Sequence, residues 1–175
     1  KHRILKGDGY RPLEQAKKMH ININTAQQTL TLASGEKTLA QYAISSAING
    51  VGQQVNSEKT PLGQHKIHAK IGADLPDNAV LLGRVWTQEI YCPALAKTHP
   101  TRDWILTRIL WLSGCEPVVN VGGDVDTLSR YIYIHGTPDK VPMGQASSRG
   151  CIRMHNCDIL TLFDRVNVGD LVFIE

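Results

Sequence analysis

The chain has 175 residues, 42% of them hydrophobic and 20% charged, and 19 Lys and Arg against 16 Asp and Glu leave a formal charge of +3. That composition is globular: it is too apolar and too weakly charged for a disordered chain, and it lacks the clustered basic residues of a nucleic-acid binder. Arg108 interrupts the most apolar stretch, Trp104 to Ser113, so nothing approaches the roughly 18 consecutive apolar residues of a transmembrane helix.

Residues 1–18 read as a polar lead, with one possible helical turn over Leu13 to Lys18, before a single domain over 19–175. The opening Lys1-His2-Arg3-Ile4-Leu5 runs into Gly7-Asp8-Gly9 without the apolar core of an export signal. Met19, Ile21 and Ile23 alternate with His20, Asn22 and Asn24, which predicts a strand. Asn24-Thr25-Ala26-Gln27 then turns the chain into a hairpin partner over Leu30 and Leu32. Gly35-Glu36 marks the next turn, Leu39 to Ile48 is extended, and Thr60-Pro61-Leu62-Gly63 is a turn signal before a strand over Gln64 to Ile71. On that strand the odd spacing of His65 and His68 puts them on opposite faces. Gly50 and Gly52 lack the third glycine of a dinucleotide site and read as turn residues.

From Arg84 to Arg130 the pattern is mixed. Trp104, Ile105, Arg108, Ile109, Trp111 and Leu112 fit a helix or an irregular apolar wall. Trp86, Tyr91, Trp104 and Trp111 fit core packing or the walls of a substrate cleft. Tyr131 to Ile134 predicts a strand ending in His135-Gly136-Thr137-Pro138, with a histidine at its carboxyl end. Asn156 or Asp158 is placed to cap a helix whose apolar face is Ile159, Leu160, Leu162, Phe163 and Val166, and Leu171 to Ile174 closes as a strand. The fold class is therefore mainly β with minor α, one helix being inserted between strands.

Four cysteines, Cys92, Cys115, Cys151 and Cys157, are too few and too irregular for a disulfide framework. The run Cys151-x3-His155-x-Cys157 lacks the second half of a zinc site, so no metal is expected. Cysteine chemistry needs the thiolate, of which a free thiol holds only about 3% at pH 7. A histidine overcomes this by taking the thiol proton and later returning it to a leaving amine. His135 is the candidate for Cys151, and the loop carrying Pro138, Pro142 and Gly144 can fold the two together. Gly150 lets the backbone approach a substrate and aim its amides at an oxyanion. Ser147 and Ser148 have no Gly-x-Ser-x-Gly or Ser-x-x-Lys context and read as turn residues. Papain- and caspase-type runs are absent.

Ile134-His135-Gly136-Thr137 followed by Ser148-Arg149-Gly150-Cys151-Ile152-Arg153-Met154 resembles the L,D-transpeptidase catalytic domain (YkuD-type). So do Thr60 to Gly63 before a strand, the hairpin from Ile21 to Leu32, and the segment from Phe163 to Asp170. The resemblance implies a β-sandwich-like fold with one C-terminal helix and a mixed insertion, and chemistry without metal or organic cofactor. It implies peptidoglycan stem peptides as partners and a bacterial periplasm or cell-envelope location; the sequence assigns no oligomeric state.

In that family the cysteine attacks the carbonyl between the third stem residue, usually meso-diaminopimelate, and the terminal D-alanine. The resulting thioester passes to an amine, in a cross-link or related exchange, or to water, as in an amidase. By resemblance Cys151 is the nucleophile and His135 the base. The Gly136 carbonyl orients the imidazole, and the amides around Gly150 and Cys151, beside Ser148, face the oxyanion. The family usually reads Ser-His-Gly-Cys, whereas Arg149 stands here in place of the second histidine. A non-catalytic wall-binding domain is the alternative that this departure keeps open. If residues 149 to 153 are extended, Arg149, Cys151 and Arg153 share one side, and Arg153 is suited to a stem carboxylate. In an oxidising compartment, a disulfide from Cys157 to Cys151 would silence the thiol.

Overall fold

A computed structural model describes residues 18–175. The lead expected over residues 1–18, with its helical turn, lies outside the described residues except for Lys18. The elements in chain order are β1 (Met19–Asn24), β2 (Thr29–Ser34), β3 (Lys37–Ala43), β4 (Gly63–Ile71), β5 (Ala79–Leu82) and β6 (Val85–Ile90). They continue as α1 (Pro93–Thr98), β7 (Ile105–Gly114), β8 (Tyr133–Thr137), β9 (Ile152–His155), α2 (Asn156–Arg165) and β10 (Leu171–Ile174). The fold is mainly β with one main helix, as the alternating N-terminal segments predict.

The strands form one curled sheet in the order β3-β2-β1-β10-β4-β7-β5-β6, with β8 leaving β7 and β9 added beyond β8. Pairing is antiparallel except for β1 with β10 and β8 with β9. Just past β3, Ser45 bridges Arg153 of β9 and Ala47 bridges Ser148. The chain leaving edge strand β3 thus closes against the opposite edge at β9. The main core fills this curl with Ile21, Ile23, Leu30, Leu32, Ile67, Leu110, Leu112, Ile134 and Ile152, covered by Ile159, Leu162 and Phe163 of α2. Each such side chain contributes about 1.5–3 kcal/mol on burial.

Several local expectations are corrected. Trp104 to Leu112 is neither helix nor irregular wall, because Ile105 to Gly114 is the ten-residue strand β7. Leu110 and Leu112 enter the main core while Ile109 and Trp111 pack on the opposite face with Tyr133 and Leu81. A strand covered on both faces loses its period-two pattern, so its sequence does not alternate. Thr60 to Gly63 does not turn: Thr60 bridges Val51, and Gly63 opens β4. β8 begins at Tyr133 rather than Tyr131 and runs through Thr137, so His135 sits at its middle. Helix α2 has His155 at its N-cap and no side-chain cap bond. Asn156 instead faces inward, donating to Asn78 Oδ1 at 2.8 Å and accepting from Thr107 Oγ1 at 2.7 Å.

Candidate active site

Parallel pairing of β8 with β9 sets His135 opposite Arg153 and Ile134 opposite Ile152. Continuing that register by one residue brings Cys151 beside Tyr133, and the period of two puts Tyr133 and His135 on one face. The thiol confirms the placement: Cys151 Sγ accepts from the Tyr133 amide at 3.3 Å and donates to the Tyr131 carbonyl at 3.5 Å. Gly150, with φ of 129°, makes the turn into this position. Its carbonyl accepts from Thr60 Oγ1 at 2.9 Å, and its amide donates to Ser148 Oγ at 3.2 Å. Buried Ser148 also donates through Oγ to the Cys151 carbonyl. It therefore braces both sides of the turn, the backbone role that its sequence context suggests.

His135 is 1% exposed, and its Nδ1 lies 2.7 Å from the Gly136 carbonyl. A carbonyl only accepts, so Nδ1 carries the proton and Nε2 keeps its lone pair. Gly136 can make this approach because it has no side chain. A Cβ there would lie 2.4 Å from Asn156 Oδ1 and 2.6 Å from the Leu106 carbonyl.

Burial favours the neutral form of both side chains. It lowers the His135 pKa, against the raising effects of the Gly136 carbonyl and Asp103. It pushes the Cys151 thiol up to about 12, with Asp103 adding to the rise while the Tyr133 amide, Arg153 and Arg130 oppose it. Both directions favour the neutral thiol and imidazole over the ion pair.

The predicted arginines separate. Arg153, with its side chain 13% exposed, bonds Asp103 Oδ1 through Nη2 at 2.7 Å and the Ser147 carbonyl through Nη1 at 2.9 Å. Arg149 turns outward to Glu58, donating from Nε at 2.8 Å and also from Nη2. The extended arrangement that would align Arg149, Cys151 and Arg153 is not formed, because β9 starts only at Ile152 and Gly150 bends the chain before it. The arginine that joins Arg153 in favouring the thiolate is Arg130 rather than Arg149.

Arg153, Asp103, Ser147 and Arg149 line a cavity of about 270 Å³. Through Pro100, Trp104, Pro138 and Lys140 it shares walls with a larger one, of about 540 Å³, that also takes in Tyr91 and Lys97. Tyr91 and Trp104 therefore meet a cavity, although Trp104 is also largely buried. Trp111 packs against Tyr131, Tyr133, His68 and the Arg84 guanidinium instead.

Sequence reasoning missed Asp103, Arg130, Tyr131 and Tyr133. Tyr133 was within reach, since a residue spaced by two from His135 shares its strand face, whereas Tyr131 precedes β8 in a left-handed turn. Asp103 and Arg130 lie in loops far along the chain, and no local pattern marks them. All four cysteines are free, with Cys157 exposed on α2 and contacting Asp158, so the suspected disulfide with Cys151 is not formed. The three residues of the Cys-His-Cys run do not converge. The Cys151 thiol faces Tyr131 and Tyr133, and His155 Nε2 lies 3.2 Å from the Val141 carbonyl. On the long strand β4, His65 is buried with Nε2 3.1 Å from Thr127 Oγ1, whereas His68 is exposed.

Because Asp103 and Arg153 act on the thiol with opposite signs, their substitutions are expected to move its reactivity in opposite directions. Asp103→Asn removes a negative charge, lowers the thiol pKa and increases alkylation by iodoacetamide at pH 9 several-fold. Arg153→Gln decreases it. Peptide mapping of alkylated Cys151 reads both, and equal rates in the two variants would contradict this electrostatic account.

Comparison with known proteins follows the same lines. The L,D-transpeptidase catalytic domain (YkuD) family model matches residues 18–174. The YkuD protein of Bacillus licheniformis is 51% identical over 49 residues, 27% of this chain and 30% of that protein. The solved L,D-transpeptidase from Mycobacterium smegmatis superposes with a TM-score of 0.52 at 18% identity, over 90% of this chain and 58% of that one. Mycobacterium tuberculosis L,D-transpeptidase 3, in complex with a faropenem-derived adduct, gives 0.55 at 15% identity, over 90% and 60%. The chain thus spans less than two thirds of the length of each of these proteins.

Proposed function

The chain belongs to the L,D-transpeptidase catalytic domain family, and from that premise we propose that it is a cysteine acyltransferase of peptidoglycan tetrapeptide stems. The observation that supports the reading is the β8–β9 pairing, which sets a buried imidazole with a free Nε2 two residues along β8 from Tyr133, whose amide bonds the Cys151 thiol. In this reading residues 19–175 form the catalytic domain, working in the cell envelope where peptidoglycan lies.

His135 Nε2 takes the thiol proton as Cys151 Sγ attacks the carbonyl before the terminal D-alanine. Attack and proton transfer are coupled, because a thiol with a pKa of about 12 has almost no standing thiolate at neutral pH. The C–S bond forms, the Cys151 amide at the Gly150 turn donates to the oxyanion, and His135 returns the proton to the leaving amine as the C–N bond breaks. Gly136 holds the imidazole in the acting tautomer. Arg153 receives a stem carboxylate in the place that Asp103 now fills.

The test is the intact mass of the reduced protein after brief incubation with a disaccharide tetrapeptide. The expected result is an adduct of the donor minus D-alanine, mapped to Cys151. Unchanged protein together with unchanged donor would remove the acyl-transfer reading and leave a wall-binding role.

A further inference from the structure

The Cys151 thiol is held by two backbone groups, the Tyr133 amide at 3.3 Å and the Tyr131 carbonyl at 3.5 Å. Their effects differ in sign. The carbonyl accepts the Sγ proton and favours the thiol, while the amide donates to sulfur and supports the charge that grows there as the proton leaves. Residues 131 and 133 must therefore keep their places while sulfur changes its charge. Tyr131 does not hold its place unaided: it is 53% exposed and takes a left-handed φ of 55°, a conformation that a bulky residue keeps only where its surroundings impose it.

Arg84 supplies that constraint from a distant part of the sheet. Gly83 and Arg84, with φ of 54° and 68°, form the two-residue turn between paired Leu82 and Val85 that joins β5 to β6. Positive φ at both central positions gives the tight turn that matches the twist of a hairpin. Leu82 and Val85 leave the tip exposed, whereas the Arg84 side chain reaches over Trp111 of β7 to Tyr133 of β8. Its Nη1 donates to the Tyr133 hydroxyl at 2.8 Å. Its guanidinium carbon lies 4.4 Å from the Trp111 ring centre and 4.9 Å from that of Tyr131, inside the roughly 6 Å of a cation–π contact. Trp111 is anchored in turn, since its Nε1 donates to the Leu128 carbonyl, which also accepts from the Tyr131 amide. Among the described residues no carboxylate pairs with Arg84, so its charge is directed at the two rings and the phenol. Leu81, at the base of the same hairpin, packs with Tyr133 in the cluster against which Cys151 lies.

We propose that Arg84 is a positioning residue for acyl transfer: through Tyr131 and Tyr133 it holds the Tyr133 amide on the Cys151 sulfur while His135 takes the thiol proton. The proposal rests on the acyl-transfer reading above for the step that is positioned. In that step Sγ keeps the S–H bonding pair as Nε2 takes the proton, and Arg84 gains and loses neither proton nor bond. A flat guanidinium is required, because a lysine keeps the charge but cannot cover two rings and bond the phenol together.

The test follows D-alanine release from a disaccharide tetrapeptide. Arg84→Ala is expected to lower kcat at least about tenfold and to change KM by less than about twofold. Arg84→Lys stays at least about fivefold below wild type, and added methylguanidinium, but not methylammonium, raises the kcat of Arg84→Ala at least about threefold. Tyr133→Phe lowers kcat about threefold alone and has no further effect beside Arg84→Ala, because the two share one contact. An unchanged kcat in Arg84→Ala, or losses at 84 and 133 that simply multiply, overturns the proposal. So does a wild-type kcat in Arg84→Lys, the variant that keeps charge and packing should Arg84→Ala not fold.

Hydrogen exchange read by NMR reports the clamp without turnover. The Tyr133 amide, bonded to sulfur, is expected to exchange at least about tenfold faster in Arg84→Ala, with the amides of β1 and β2 as in wild type. Unchanged protection of the Tyr133 amide overturns the proposal whether or not a thioester forms. A missing thioester in the wild-type protein, together with faster exchange in Arg84→Ala, overturns the acyltransferase reading alone.

Discussion

Replacing Cys151 by alanine is expected to remove the acyl adduct and to lower release of D-alanine by more than about 10⁴-fold, since no second nucleophile stands at the β8–β9 turn. Ser148, the nearest hydroxyl in sequence, is buried and bonded to the Cys151 carbonyl and the Gly150 amide. The alanine variant also leaves the Tyr133 amide without its sulfur acceptor, at a cost of about 1–3 kcal/mol if that group stays buried. Cys151→Ser separates chemistry from folding. Its hydroxyl keeps a donor and an acceptor for Tyr131 and Tyr133, while an alcohol ionises far less readily than a thiol. Full thermal stability with no adduct is the expected outcome for Cys151→Ser by calorimetry and intact mass. Turnover within tenfold of wild type in either variant would move the nucleophile elsewhere.

His135→Ala is expected to lower kcat/KM by about 10²–10⁴-fold and, more tellingly, to change its pH dependence. Burial lowers the His135 pKa, so the imidazole stays a competent base at pH values below the ordinary histidine value of about 6.5. The wild-type acid limb therefore lies below pH 6.5. Without His135 the thiol proton must leave to solvent, and the thiol pKa of about 12 makes the residual rate climb about tenfold per pH unit through the neutral and alkaline range. A rate profile in His135→Ala that keeps the wild-type acid limb would assign the base to another group.

What the sequence disclosed, and what it hid, follows from where each residue finds its partners. The hairpin of β1 and β2 was legible because Ile21, Ile23, Leu30 and Leu32 bury one face and leave the other polar. β7 was not, since its two covered faces erase the alternation that identifies a strand. The pairing of Cys151 with His135 was suggested by motif and loop length; His135 lies on β8 and Cys151 at the bend just before β9. The surroundings that govern the thiol were beyond reach: Asp103, Arg130 and Thr60 come from three separate loops. Arg149 and Arg153 looked equivalent by spacing, yet the single bend at Gly150 gives them different neighbours.

The closure of the curled sheet has a kinetic meaning. β9 is held on one edge by β8, and on the other Ser45 bridges Arg153, while Ala47 bridges Ser148 ahead of the strand. Those contacts join chain segments about a hundred residues apart, and such long-range pairings carry a large loop-closure entropy that slows their formation. The turn that carries Cys151 lies within this seam, with the Ser45 and Arg153 backbones donating to each other and the Ser148 amide donating to the Ser46 carbonyl. The setting of Cys151 is therefore a property of the closed chain as a whole: a partly folded molecule with its hairpin and helix in place still lacks the seam that positions this thiol.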